Sequence, residues 1–198
     1  DNRPAQRYEV RSVTTLLNNH FLVAMPSMKD PNFNGTVTYL CKHDENGALG
    51  IIINRPLDMQ VLDIFQQLSF DVIDETQAAR PVLGGGPLQR EMGFVLHQSE
   101  DPYDKTLNPI ETSIKVTVSQ DILNSMARGE GPNPALVALG YAGWDSGQLE
   151  AELAANAWLS VPASPAILFD TPFDERWESA AALLGINISQ LSRYAGHA

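Results

Sequence analysis

The chain has 198 residues, 43% of them hydrophobic, and a formal net charge of −11 from 13 basic and 24 acidic side chains. This length suffices for one domain with a sizeable core. The composition excludes a membrane-spanning protein, since no apolar run reaches the roughly 18 residues of a transmembrane helix, and the acidic balance disfavours direct nucleic-acid binding, which depends on clustered lysines and arginines.

The single cysteine, Cys41, excludes an internal disulfide and is typical of a reducing compartment. The sequence shows no signal-peptide pattern, and we therefore expect a cytoplasmic protein. Residues 1–15 are polar and lack a clear hydrophobic period. They predict a flexible N-terminal extension, and residues 16–198 predict a single folded domain.

The first predicted elements are β-strands. An apolar run over residues 20–25 predicts one strand. Residues 36–43 and 48–54 form two further strand-like runs, and Asn46-Gly47 between them is a strong signal for a hairpin turn.

A helix is expected after this hairpin. Asp58 is a residue type that caps helices through its side chain, and the residues after it place apolar side chains on one face, at Val61, Leu62, Phe65 and Leu68. Short strands are predicted over residues 81–84 and 92–97.

The second half of the chain alternates strands with helices. Residues 113–119 have the alternation of a half-buried strand, and Ser119 can cap a short helix that ends at Gly129. The apolar run over residues 134–144 predicts a buried strand, and residues 167–169 predict another short one.

A further helix is expected to begin at Asp145, because Gln148 lies three residues later, as in a capping box. If this helix reached Trp158, then Trp144 and Trp158 would lie about four turns apart on nearly the same face. Two aromatic side chains on one stripe most often anchor a helix in the core. The alternative is an exposed aromatic patch that binds a partner.

The last predicted helix opens at Thr171-Pro172 and runs toward Gly185. Its expected buried stripe consists of Ala180, Ala181, Leu183 and Leu184. Strands that are joined partly by hairpins and partly by helices are typical of an α+β fold.

The glycine-rich turn is the first candidate site. Gly84, Gly85 and Gly86 precede Pro87, but the Lys and Ser/Thr of a phosphate-binding Walker loop are missing, and a strand rather than a helix is predicted to follow. One interpretation is a tight turn that needs the conformational freedom of glycine. The other is an anion site made of backbone N–H groups and assisted by Arg90. The interpretation as a tight turn is favoured over the anion site.

The stretch GWDSG, residues 143–147, is the second candidate. A strand that runs into a helix N-terminus presents free N–H groups to an anion, which would place Gly143, Trp144 and Ser146 at the site. Asp145 would occupy those donors and repel a phosphate, so the helix-cap interpretation is favoured. Ser146 lacks the Gly-x-Ser-x-Gly context of a hydrolase nucleophile.

Three other polar residues are candidates. Asn54 and Arg55 end an apolar strand, where an arginine pairs with a carboxylate or receives an anionic ligand; the structural pair is favoured. His97 ends the strand after the glycine turn, although a histidine satisfied by the backbone is commoner there than a catalytic one. Cys41 is interpreted as a small buried hydrophobe. No metal signature is present, and no metal or cofactor is expected.

Four blocks of the sequence carry a family resemblance: HFLVAMPSMKDPNFNGTVTYLCKHDENGALGIIINRP, GGGPLQREMGFVLH, LGYAGWDSGQLEAELAANAWL and LSRYAGHA. In this order they resemble the AlgH/YqgE family of bacterial proteins, over residues near 17 to 198. The resemblance implies an α+β fold, in which a bifurcated mixed β-sheet folds into a pseudo-barrel with helices packed outside, and a cytosolic location. Family members are often labelled transcriptional regulators, and the family has no established reaction, cofactor or catalytic residue, so the resemblance implies none here.

The leading hypothesis is a non-enzymatic binding or regulatory protein that contacts a protein partner or a small anionic ligand. The alternative is an enzyme that acts on an anionic small molecule such as a nucleotide, in one cleft formed by the Asn54-Arg55 turn, the glycine turn and GWDSG. Direct transcriptional regulation comes third. No catalytic residue is assigned.

Overall fold

The computed structural model describes residues 16–108 and 112–195. The expected extension over residues 1–15 lies outside this part, as does the end of the last family-like block. The described residues form nine strands: β1 (His20–Ala24), β2 (Val37–Asp44), β3 (Gly47–Ile52), β4 (Pro56–Gln60), β5 (Pro81–Gly84), β6 (Leu88–His97), β7 (Lys115–Thr117), β8 (Ala135–Asp145) and β9 (Trp158–Pro162). They also form seven α-helices: α1 (Val61–Gln67), α2 (Glu75–Ala78), α3 (Gln120–Ala127), α4 (Gln148–Ala154), α5 (Pro165–Phe169), α6 (Arg176–Ala182) and α7 (Ile188–Ala195).

The sheet branches at β8. In the first half of β8, Ala138 lies opposite Leu83 of the parallel strand β5 and opposite Phe94 of the antiparallel strand β6. In its second half, Trp144 lies opposite Ala48 of β3. The pairing continues from β3 through β2 and β1 to β9, whereas β4 lies beyond β5 and β7 beyond β6. The α+β class and the bifurcated mixed sheet are confirmed, and among the described strands the sheet is not closed into a barrel.

Successive side chains of a strand point to opposite faces of the sheet. Helices pack against both faces, so both sets of side chains are covered. In β8, Ala135 and Val137 pack with side chains of α1, α2 and α3. Leu136 and Ala138 belong to the largest cluster, which also takes in side chains of α5, α6 and α7. A strand covered on two sides is apolar along its whole length, which explains the uninterrupted apolar run that marks β8 in the sequence.

The first helix begins later than the sequence indicates. Asp58 lies within β4, which pairs with β5, so the expectation that Asp58 caps the helix was wrong. Gln60 is the N-cap instead, and its backbone N–H donates to Asp63 Oδ2 at 2.8 Å. Val61 and Phe65 are buried, as expected. Pairing with β5 therefore overrides the local helix signal.

The helix expected at Asp145 begins instead at Gln148. Asp145 is the last residue of β8, and Gly147 is the N-cap with a left-handed φ of 77°. Gln148 Oε1 still accepts a hydrogen bond from the backbone N–H of Asp145 at 3.0 Å, so half of the capping box is present. The helix ends at Ala154, and Trp158 lies in β9.

The two tryptophans nevertheless lie in the core. Trp144 is 6% exposed and Trp158 3% exposed, and their rings pack edge to face with centroids 6.0 Å apart. Both indole N–H groups donate to Glu152 Oε1, at 3.4 and 3.3 Å. The core interpretation is confirmed, but the two side chains project from two strands rather than from one helix.

Three further local expectations were wrong. Residues 167–169 belong to α5, whose N-cap Ser164 accepts a hydrogen bond from the backbone. Strand β7 is buried along its whole length rather than on one face, and its Thr117 side chain contacts those of His97 and Thr106. Leu183 and Leu184 are exposed, because α6 ends at Ala182 and the chain leaves the sheet there.

Candidate functional site

Two of the three candidate turns meet at one cavity of about 200 Å³. Arg55 reaches it from the connection between β3 and β4, Gly84 from the end of β5, Gly86 from the turn that follows, and Arg90 from the start of β6. These segments meet because β4 pairs with β5. The remaining lining residues are Asn32, Ile52, Leu57, Pro87 and Leu139. We call this the arginine–glycine cavity.

Arg55 is held by backbone carbonyls rather than by a carboxylate. Its Nη1 donates to Asn32 O at 2.7 Å and its Nη2 to Asn34 O at 2.8 Å. Among the described residues it forms no ion pair, so the favoured pairing with a carboxylate was wrong. Burial lowers the pKa of Arg55 and the charge of Asp30 opposes this shift, but an arginine stays protonated at neutral pH. The guanidinium is thus a fixed positive charge at the cavity.

Asn54 holds the same loop from the other side. Its Oδ1 accepts a hydrogen bond from Val37 N, and its Nδ2 donates to Gly35 O, both at 2.9 Å. The side chain does not line the arginine–glycine cavity. Asn54 therefore supports the segment that positions Arg55, without facing a ligand itself.

Close contact between backbones explains the glycines of the turn. A Cβ on Gly85 would lie 2.4 Å from Gly140 O, and one on Gly86 would lie 2.1 Å from the carbonyl carbon of Tyr141. This supports the interpretation as a tight turn. The anion-site interpretation also has support, because the N–H of Gly86 makes no hydrogen bond to a described residue and Gly86 lines the cavity.

Arg90 completes the positive lining of the cavity. Its side chain is exposed and makes no hydrogen bond or ion pair with any described residue. Ile52, Leu57 and Leu139 supply an apolar wall. Two guanidinium groups, one unpartnered backbone N–H and an apolar wall suit a small anion.

The GWDSG stretch lies elsewhere. Gly143 and Trp144 pair with β3, and Ser146 Oγ donates to Glu45 O at 2.6 Å. None of the three lines the arginine–glycine cavity, so this cavity is not the single cleft of all three turns that the alternative enzyme hypothesis required. The strand sets this separation, because Gly143 lies four residues beyond Leu139 along β8, roughly 13 Å away.

His97 is also remote from this cavity, at the opposite end of β6 from the glycine turn. It is fully buried. Its Nδ1 accepts a hydrogen bond from Ser99 N at 3.1 Å, and its Nε2 lies 2.8 Å from Thr117 Oγ1. Burial, and then the charge of Lys115, lower its pKa to about 4. These contacts support the interpretation of His97 as a neutral structural histidine.

Cys41 and His43 are engaged within the fold. Cys41 Sγ donates to Leu49 O at 3.3 Å, and burial raises the pKa of this thiol to about 12. His43 accepts a hydrogen bond from Leu17 N and contacts Glu150 through Nε2.

In the part of the chain that the structure describes, no group of three His, Cys, Asp or Glu side chains could hold a metal ion. No described helix is long and apolar enough to cross a membrane.

Sequence reasoning missed the four lining residues that lie outside the two turns, which are Asn32, Ile52, Leu57 and Leu139. Asn32 belongs to a loop that carries no motif, and it meets the site because Arg55 bonds to its carbonyl. Leu139 reaches the cavity through the parallel pairing of β8 with Gly84 of β5. No local sequence signal marks either contact, since both depend on pairing between distant segments.

Comparison with known sequences gives the family. The sequence model of the AlgH-like family (DUF179) matches residues 21–189. The chain belongs to the AlgH-like family. The UPF0301 protein AlgH of Pseudomonas aeruginosa is 50% identical over 189 residues, which are 95% of this chain and 99% of AlgH. A UPF0301 protein of Nitrosococcus oceani is 48% identical over 180 residues, which are 91% of this chain and 96% of that relative.

Solved structures agree with the AlgH-like assignment. The solution structure of the AlgH protein from Pseudomonas aeruginosa superposes with a TM-score of 0.76 and 49% identity, over 95% of this chain and 99% of that one. A crystal structure of a Corynebacterium diphtheriae protein has a TM-score of 0.69 at 20% identity, over 89% and 91% of the two chains, and shows the same fold. The family resemblance seen in the sequence is confirmed. None of these names states a ligand or a reaction.

Proposed function

We propose that this AlgH-like protein is a cytosolic, non-enzymatic binding protein, with residues 16–198 acting as one domain. The proposed ligand is a small anion in the arginine–glycine cavity. One observation carries the proposal: the charged guanidinium of Arg55 lines one cavity together with the side chain of Arg90 and with Gly86. Neither the Arg90 side chain nor the N–H of Gly86 has a hydrogen-bond partner among the described residues.

The size and charge of the cavity limit the ligand class. Its volume of about 200 Å³ is below the range of drug-sized pockets, which begins at about 300 Å³. The chain as a whole carries a charge of −11, so an anion gains attraction only where cations are placed locally. Inorganic phosphate or a small phosphomonoester has the charge and size that two arginines and one backbone N–H can hold.

The chemistry of the lining supports binding rather than turnover. None of the described residues that line the cavity is a histidine, cysteine, serine, aspartate or glutamate. General acid–base or nucleophilic catalysis by protein side chains needs such a group within hydrogen-bond reach of the ligand. The proposed role is therefore to hold the anion.

The position of Arg55 links anion binding to a regulatory role. Its guanidinium holds the loop before β2 through the carbonyls of Asn32 and Asn34. An anion that accepts hydrogen bonds from this guanidinium competes with the two carbonyls for its N–H groups. Anion binding would thereby loosen the loop before β2. We propose that a protein partner binds to this loop.

Titration with inorganic phosphate, followed by calorimetry and by amide NMR shifts, tests the proposal. We expect saturable binding with shifts at Gly86 and Arg90, and a loss of about tenfold in affinity in R90Q, because a charge-assisted hydrogen bond is removed. The matched control is R128Q, which removes the same charge from an exposed arginine that lines none of the described cavities.

Equal weakening in R90Q and R128Q would show that phosphate responds only to overall charge, and would overturn the site. Hydrolysis of a phosphomonoester by the wild-type protein that is lost in R55K would overturn the non-enzymatic assignment. In that case the cavity would be an active site.

A further inference from the structure

A second cavity, of about 290 Å³, lies on another part of the sheet and shares no lining residue with the arginine–glycine cavity. It is formed where the link between α5 and α6 passes over the first residues of β5 and β8. Its lining residues are Val61, Arg80, Pro81, Ala135, Leu136, Val137, Phe169, Asp170, Thr171, Pro172, Phe173 and Arg176. We call it the Arg176 cavity.

Arg176 is a charged side chain that is almost completely buried, with 2% of its surface exposed. Its Nε donates to Thr171 O at 3.0 Å and its Nη1 donates to Ile53 O at 2.5 Å. Its guanidinium carbon lies 4.4 Å from the centroid of the Phe173 ring. A guanidinium has five N–H donors, and Nη2 makes no hydrogen bond with any described residue.

This guanidinium also lacks a counter-ion. Although the chain contains 24 acidic residues, Arg176 forms no ion pair with a described one. Burial lowers its pKa to about 10, and the group is still protonated at neutral pH. A buried charge that is not paired is costly for a fold. An anionic ligand would supply both the missing charge and the missing acceptor.

The charges at the edge of the Arg176 cavity differ in sign. Arg80 is half-buried and donates to Ala135 O at 3.0 Å and to Asn133 Oδ1 at 3.1 Å, which holds a second positive charge in the lining. Asp170 also lines the cavity but is exposed to solvent, where its charge is largely screened. The net attraction of the cavity is therefore for an anion.

The rest of the lining is mostly apolar. Side chains of aromatic and aliphatic residues form the walls: Val61, Pro81, Leu136, Val137, Phe169, Pro172 and Phe173. A cavity of about 150 Å³ with apolar walls holds benzene, so this one accommodates a ring and an attached acidic group. A phosphate would leave oxygens against apolar walls without donors, whereas a carboxylate presents two oxygens to one guanidinium edge.

We infer that the Arg176 cavity binds a small monocarboxylate with an apolar, ring-sized body. The carboxylate lies against Nη2 of Arg176 and near Arg80, and the body packs between Phe169, Phe173 and Val137. This site is independent of the proposed phosphate site, because the two cavities have no residue in common.

NMR titration with benzoate tests the inference, with benzamide as the neutral probe of the same shape. We expect saturable shifts for benzoate at the Arg176 side-chain Nε–H and at the amides of Thr171 and Phe173. Benzamide should bind at least about tenfold more weakly, because it lacks the charge that Arg176 requires. R90Q, in the other cavity, should leave benzoate binding unchanged while it weakens phosphate binding.

Two variants that change exposed or half-exposed charges should move the affinity in opposite directions. R80Q should weaken benzoate about threefold and D170N should strengthen it about twofold, the range expected of solvent-screened charges. R176Q should weaken it at least about thirtyfold, as for removal of a buried charge partner. If R176Q does not fold, the opposite changes in benzoate affinity of R80Q and D170N still test whether benzoate binds in the Arg176 cavity.

Three outcomes would overturn the inference. One is that benzoate gives no saturable shifts around Thr171 and Phe173 in the folded wild-type protein. Another is that benzamide binds as tightly as benzoate, which would make the site merely apolar. The third is that R90Q, rather than R80Q, weakens the binding of benzoate. Benzoate would then bind in the arginine–glycine cavity and not in the Arg176 cavity.

Discussion

Burial shifts the pKa of three side chains, two of them downward and one upward. It lowers the pKa of His97 to about 4 and that of Arg176 to about 10, and it raises that of Cys41 to about 12. Low polarity penalises the charged form in each case. At neutral pH the imidazole and the thiol are therefore uncharged, whereas the guanidinium keeps its charge. Among these three residues, only Arg176 offers an ionic contact to a ligand.

The low pKa of His97 predicts a pH dependence of stability. Between its ordinary value of 6.5 and its folded value of about 4, the unfolded chain binds a proton that the folded chain does not. The free energy of unfolding should therefore decrease as the pH falls through this interval, by on the order of 3 kcal/mol from this group. Lys115 strengthens the shift, and Asp101 and Glu100 oppose it. Urea denaturation at pH 7, 5.5 and 4 measures the effect.

H97Q is the control for this prediction, because it removes the titrating group and leaves the carboxylates in place. Its stability should be lower at pH 7 but should change less between pH 6.5 and 4 than that of the wild type. Parallel pH curves for the two proteins would contradict the assignment of this loss to His97.

At the scale of elements, the turn between β5 and β6 is shaped by its contact with β8. Gly85 donates its N–H to Leu139 O at 2.8 Å and accepts a hydrogen bond from Ile52 N, also at 2.8 Å. It thus holds β3 and β8 together at the point where the sheet branches. A Cβ at Gly85 would lie 2.4 Å from Gly140 O, whereas the nearest atom to a Cβ at Gly84 would be the end of the Leu57 side chain at 3.2 Å.

G85A should therefore lower the free energy of unfolding by about 2 kcal/mol or more, as for overpacking against a rigid backbone. G84A should cost less than about 1 kcal/mol, because the side chain of Leu57 can move. Neither glycine has a left-handed φ, so the pair isolates the steric contact. Chemical denaturation of both variants measures the difference, and equal losses would show that Gly85 is not selected by its contact with Gly140.

At the scale of the whole molecule, charge limits the macromolecular partners. The chain has 13 basic against 24 acidic residues, and the arginines of the two cavities each lie within a predominantly apolar lining. Binding to duplex DNA depends on many cations that displace counter-ions together. A few separated arginines do not form such a surface.

We therefore expect no measurable binding to duplex DNA at about 0.1 M salt, where specific regulators bind with nanomolar affinity. Fluorescence anisotropy with labelled duplexes, repeated over a range of salt concentrations, measures this. Binding that weakens steeply with salt and prefers one sequence would contradict the expectation and would favour direct transcriptional regulation.

The success of sequence reasoning depended on how local each signal was. The hairpin at Asn46-Gly47 and the strand over residues 134–144 were predicted correctly, because turn chemistry and apolar runs are encoded by adjacent residues. Helix starts were wrong at Asp58 and Asp145, because strand pairing extended β4 and β8 into stretches with good capping residues. The sequence predicted Arg55 and Arg90 as candidate binding residues, but it did not establish that they line the same cavity.

By itself, the sequence determined the net negative charge, the α+β class and most of the strands, because these depend on composition and on patterns among neighbouring residues. Its resemblance to known proteins indicated the family. Only the tertiary structure decided that Arg55 and the glycine turn share a cavity that GWDSG does not line. It also decided that Arg176 is buried and has no counter-ion among the residues that the structure describes. These results depend on the pairing of β5 with β8 and on the position of α6 against the sheet. Both join residues far apart in the chain, and no local pattern records which distant segments will pair.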